Sequence, residues 1–136
     1  MKKILVAGAG GYVGTVLCHE FQKKGYAVIA LDRYFFGLEK MAHLNNKNIT
    51  IIRDDIRYFD EKILKGVDVI IDLAGLSNDA TSEINPTFTK EINCGGSTRL
   101  ATLAKKHKVK HYLYSSSASV YGVSPAFARR VSSFVP

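Results

Sequence analysis

Residues 5–14 read LVAGAGGYVG, an apolar run that passes straight into four glycines within seven positions. A strand followed by a glycine loop and then a helix places free backbone N–H groups and the positive end of a helix dipole at one point, which favours a phosphate. The spacing matters. A GxGxxG pattern begun at Gly8 and Gly10 fails because its third place falls on Val13, whereas GxxGxxG fits at Gly8, Gly11 and Gly14. Eighteen residues beyond Gly14, the run YAVIALD closes on Asp32. A carboxylate at the end of a second strand can accept from both hydroxyls of an adenosine ribose, and it repels a 2′-phosphate. The pair therefore favours NAD over NADP, a preference that Arg33 next door weakens.

Outward from this loop, strand and helix patterns alternate. Apolar, β-branched runs occur in KKILVAG, YAVIALD, NITIIRD, VDVIIDLAG and VKHYLYSSS, the last ending at Ser117. Helical spacing of apolar residues is expected over residues 11–24, more weakly over 38–44 and 61–65, and over a long stretch from Pro86 to about Lys106. Gly95 and Gly96 inside that long stretch are read as marking close approach by another element. Continuous rather than alternating apolar strands predict an α/β fold: a doubly wound parallel sheet of about five strands with helices on both faces.

Composition narrows the function classes. The chain has 136 residues, enough for one domain, and 46% hydrophobic residues. No apolar run reaches the roughly 18 residues that a membrane span needs, so no membrane partner is expected. The N-terminus reads as a first strand and not as a signal peptide. Cys18 and Cys94 lack metal-ligand spacing and fit buried free thiols in a reducing cytoplasm. No metal site is expected. The net charge of +7 comes entirely from residues 92–136, which hold seven Lys/Arg and no acid. Four of these lie in KKHKVK, where cations suit a helix C-terminus, so nucleic acid is not the expected partner.

Further motifs follow at matching distances. AGAGGYVG resembles TGxxGxxG, with Ala7 where threonine is usual. RDDIRYFD, DLAGLSND, INPTFTKEINCGGSTRL and YSSSASVYG come after it in order. Together these resemble the extended short-chain dehydrogenase/reductase family, the NAD-dependent nucleotide-sugar epimerases and dehydratases, over residues 2 to about 122. The resemblance implies a Rossmann-like NAD-binding domain over residues 1–122 and a tail over 123–136 unlike the family. It implies cofactor contacts from Gly8, Gly11, Tyr12, Val13, Gly14, Asp32, Arg33, the Asp55–Ile56 pair at adenine, Leu73, Ala74, Gly75 and Asn93, the last mainly structural. Ser117 falls on the catalytic serine position, whereas Tyr121 is not the catalytic tyrosine.

The family's Tyr-x-x-x-Lys pair, on the helix after the fifth strand, has no counterpart following Ser117. Tyr58 and Lys62 show that spacing but precede the fourth strand, so they are read as coincidence. The expectation is a fold truncated before its catalytic helix, inactive by itself, with apolar surface left beside the fourth and fifth strands. The resemblance also implies a nucleotide-sugar substrate and a homodimer through the helix starting at Pro86. Two alternatives stand beside it. One is a non-catalytic dinucleotide-binding module; the other, disfavoured by the glycine spacing, is a domain binding S-adenosylmethionine.

Overall fold

The computed structural model describes residues 1–44, 48–77 and 85–117. Its centre is β1 (Lys3–Ala7), whose Leu5, Val6 and Ala7 are fully buried. β1 is flanked on one side by β2 (Ala27–Asp32) and β3 (Ile49–Arg53), and on the other by β4 (Val69–Asp72) and β5 (His111–Tyr114). All pairings are parallel, in the order β3-β2-β1-β4-β5. The chain leaves β1 in one direction and returns to its other side at β4. That reversal opens a crevice at the carboxyl ends of the strands. The doubly wound, Rossmann-like sheet expected from the sequence is the fold observed.

Alternation along the strands builds two cores. Ile4, Val6, Val28 and Ala30 face α1 (Tyr12–Lys23) and a 3₁₀ turn at Glu39–Leu44, with Cys18, Met41 and Leu44 buried between them. Burial lifts the Cys18 thiol to about 12, which keeps it protonated and inert. Cys94, expected to be buried as well, is exposed. Leu5, Ala7, Ile29, Leu31 and Ile70 face the opposite layer, where Phe59, Leu64, Ile92 and Leu100 pack. Cover is complete only at the centre. Ile51 on β3 is 38% exposed, and Leu113 and Tyr114 on β5 are 52% and 54% exposed, because these are the sheet's edges.

Local chemistry explains most element ends. α1 stops in a Schellman motif: Gly25 sits at φ +76, its N–H donates to the Gln22 carbonyl, and the Tyr26 N–H donates to that of Phe21. The expected helices at 38–44 and 61–65 are single 3₁₀ turns, Glu39–Leu44 and Glu61–Leu64, the second capped by the Asp60 carboxylate. The long helix begins as expected, with the Asn85 side chain capping Phe88 N–H and Pro86 in the first turn. It then departs from the expectation. Between α2 (Pro86–Lys90) and α3 (Ser97–Lys106) the backbone widens into a π-helical segment, Glu91–Gly96.

Gly96 packs closely against another element, since an added methyl would lie 2.5 Å from the Ile56 Cγ2. Gly95 does not, because a methyl there meets nothing, so the close approach read for both glycines holds for Gly96 alone. The basic run after α3 is partly neutralised: Lys106 pairs with Glu61 and Lys110 with Asp68. Among the described residues no helix is long and apolar enough to cross a membrane, and no cluster of potential metal ligands occurs.

Candidate dinucleotide cleft

A cleft of about 530 Å³ lies across the carboxyl ends of β1, β2 and β4. Its floor is the glycine loop. Gly8 takes φ +81, its N–H donates to the Leu31 carbonyl, and a methyl there would sit 2.8 Å from the Leu73 backbone. Only glycine lets the β1 and β4 loops approach this closely. Gly11 caps α1 with no side chain and no acid follows in the first turn, so the N–H groups of Tyr12 and Val13 begin a helix without a side-chain acceptor. The Tyr12 and Val13 side chains themselves point to solvent. Gly14 is buried beneath the loop, against Gly8 and Ala9, and does not line the cleft.

Asp32 closes β2 at the cleft wall. One carboxylate oxygen accepts from Gly10 N–H at 3.1 Å and the other from Tyr34 N–H at 2.6 Å. An ionised carboxylate has about four lone-pair sites, so two acceptor sites remain toward the cleft, the number a vicinal diol needs. Tyr34 supports this corner from a left-handed backbone, φ +53, with its hydroxyl donating to the Ala30 carbonyl. Gly10 is needed here too, since a methyl would lie 2.7 Å from the Tyr34 ring.

Asp55 differs sharply from Asp32. It accepts from Arg57 N and Nε on one oxygen, and from Arg57 and Arg33 guanidinium groups at 2.8 and 2.9 Å on the other. All four sites are filled. Hydrogen bonds from Arg57, opposed in part by burial and aided by Arg33, hold its carboxyl at about 2. A drop from 3.8 to about 2 corresponds to about 2 kcal/mol of stability. Because the folded value is depressed, that contribution is present above pH 4 and is lost as pH falls toward 2. Denaturant titrations across this window are expected to show the loss, and in Asp55→Asn the acid-side slope should flatten. An unchanged slope would contradict the pairing.

The remaining wall comes from the loop after β4. Leu73, Ala74 and Gly75 line the cleft, as do Arg33 and Ile56. Asp72 beneath them is fully buried, and its two oxygens accept from Ala74 N–H at 3.2 Å and the Tyr112 hydroxyl at 2.6 Å. Asn93 stands behind the wall. Its amide accepts from Leu76 N–H at 2.7 Å and donates to the Leu76 carbonyl at 2.9 Å, so it clamps both backbone groups of one loop residue.

Ser117 is exposed beyond β5 and is not among the cleft residues. Tyr58 is 70% exposed under Arg57, and Lys62 pairs with Asp60, which separates that Tyr-x-x-x-Lys from the cleft. The segment containing Tyr121 and the tail from residue 123 lie outside the described residues. The sequence reading assigned no role to Gly10, Phe35, Phe36, Asn85 or Phe88, all of which line the cleft. The Phe35–Phe36 pair, a few residues after Asp32, was the available signal, since residues following the end of β2 stay at the carboxyl edge of the sheet where the cleft lies.

The family model of the NAD-dependent epimerase/dehydratase family matches residues 4–134. The chain belongs to that family. As an epimerase/dehydratase-family chain it is 31% identical over 131 residues to the UDP-glucose 4-epimerase of Klebsiella pneumoniae, covering 90% of this chain and 94% of that one. The UDP-N-acetylglucosamine 4-epimerase from Methanobrevibacter ruminantium M1, solved with UDP-N-acetylmuramic acid, superposes with a TM-score of 0.85 at 31% identity, covering 91% of this chain and 40% of that chain. The UDP-glucose 4-epimerase from Bifidobacterium longum, solved with NAD+ and UDP, does so at 0.75 and 31%, covering 89% and 38%. The family chain described here spans 27% of a plant UDP-glucuronic acid decarboxylase to which it is also similar.

Proposed function

We propose that these residues form the NAD-binding part of an epimerase- or dehydratase-type oxidoreductase acting on a nucleotide sugar. The observation that carries this is Asp32, a cleft-lining carboxylate that accepts one hydrogen bond on each oxygen and keeps acceptor capacity beside an uncapped helix N-terminus. The residues fit a dinucleotide: Gly8, Gly10 and Gly11 line the cleft without side chains, and the α1 N–H groups suit its diphosphate. Asp32 would hold the adenosine ribose, Ile56 and the Asp55 segment would border adenine, and Leu73, Ala74 and Gly75 would wall the nicotinamide side. When bound, NAD supplies hydride acceptance and return. Ser117 would orient a sugar hydroxyl by hydrogen bonding.

The 136 residues contain no Tyr-x-x-x-Lys after Ser117. That supports a narrower reading for the polypeptide itself, in which it holds the cofactor without turnover. Calorimetric titration with NAD+, followed by an assay of UDP-glucose and UDP-galactose interconversion, tests both. Saturable binding without interconversion is expected; absence of NAD+ binding would sink the cofactor assignment, and interconversion would sink the narrower reading. A cytoplasmic setting suits a chain whose two cysteines are both free thiols.

The helix starting at Pro86 is the proposed dimer surface, with Thr98, Ala101 and Thr102 on its exposed face. Together with half-exposed Leu113 and Tyr114, it leads us to expect concentration-dependent self-association in sedimentation velocity. A single monomer boundary at all concentrations would contradict it.

A further inference from the structure

We infer that Asp55 sets cofactor selectivity, by holding the Arg33 guanidinium in an ion pair that makes it unavailable to a ribose 2′-phosphate. The inference rests on the NAD-site reading above and deepens it. Arg33 directly follows Asp32, the residue expected at the ribose, and its side chain is 43% exposed. A mobile guanidinium there would be a ready partner for a 2′-phosphate, because arginine pairs with phosphate bidentately. In this structure its Nη1 instead donates to the Asp55 Oδ2 at 2.9 Å, and its plane lies over the Phe35 ring at 4.7 Å. Both ties draw it to the β3 side of the cleft.

The charge balance points the same way. Arg57 is held by Asp55 and by Glu91, at 2.8 and 3.0 Å, and its side chain is only 11% exposed. Arg33 is therefore the exchangeable cation of the pair that shares Asp55. An incoming phosphate dianion therefore meets repulsion from Asp32, and the arginine directly beside that carboxylate is already paired. Removing the Asp55 charge releases Arg33.

The test is direct titration of the chain with NAD+ and with NADP+, at fixed ionic strength, in four proteins: unaltered, Asp55→Asn, Arg33→Ala and the double variant. Asp55→Asn is expected to raise the NADP+ to NAD+ affinity ratio about tenfold, the scale of one charge-assisted hydrogen bond. The double variant should lose that gain. Arg33→Ala alone should leave the ratio unchanged, because the guanidinium is already committed; this arm decides the matter if Asp55→Asn does not fold. A fall in the ratio in Arg33→Ala, or no rise in Asp55→Asn, overturns the inference while leaving NAD+ binding intact. Failure of the unaltered chain to bind NAD+ overturns the site reading and this inference together.

Discussion

Gly14→Ala is expected to cost about 3–5 kcal/mol, a large fraction of the stability of a domain this size. A methyl at Gly14 would fall inside contact of the Gly8 carbonyl oxygen and 2.8 Å from the Ala9 Cα, and both are backbone atoms. Neither can rotate away. Relief requires α1 to move off β1, which breaks the packing of Cys18 against Val6 and Val28 in the core they share. The control is Gly95→Ala, on a helical stretch where a methyl meets nothing. There, better helix propensity should leave stability unchanged or raise it by about 0.5–1 kcal/mol. Thermal and denaturant unfolding of the two variants checks both numbers. Equal, small effects would show that the loop can yield and that its close packing does not hold the fold.

Asp32→Ala should weaken NAD+ binding by about a hundredfold, the worth of two hydrogen bonds to a charged acceptor. Part of that loss is indirect. The carboxylate also fixes the N–H groups of Gly10 and Tyr34, so its removal loosens the loop that receives the diphosphate. Asp32→Asn separates the two effects, because an amide oxygen keeps one acceptor while the charge is lost. An intermediate affinity is the expected result for Asn, with melting between those of the unaltered chain and Asp32→Ala, because its NH2 must face one of the two N–H donors. Calorimetry on both variants checks it, and unaltered binding in Asp32→Ala would place the ribose elsewhere.

Much of this site was readable from local signals. Glycine at positions 8, 11 and 14 leaves few alternatives to a tight strand-to-helix turn, and an acid closing the next parallel strand must come to lie beside it. Five apolar runs separated by helical spacing define the sheet for the same reason: each signal sits within a dozen residues. What escaped was tertiary. Nothing in RDDIRYFD says that Arg57 folds back onto Asp55 while Arg33 reaches across from another strand, so a carboxylate read as an adenine contact is found with every acceptor site engaged. The packing of the π-helical turn was equally hidden, since it sets Gly96 against Ile56 from a distant part of the chain. Edge exposure of β3 and β5 also follows from strand order, which an apolar run does not encode.

The central position of β1 has a consequence for the chain during its synthesis. Residues 3–7 leave the ribosome before the other four strands and can pair with β2 once residue 32 has emerged, with β3 following from residue 49. The opposite side of β1 has no neighbour until Val69–Asp72 arrives. Through that interval the nascent sheet presents Ile4, Leu5, Val6 and Ala7 as an apolar edge with unsatisfied backbone groups, a template for intermolecular pairing. The vulnerable period for this chain is therefore set by translation of the stretch between β2 and β4, and slow codons there would prolong it.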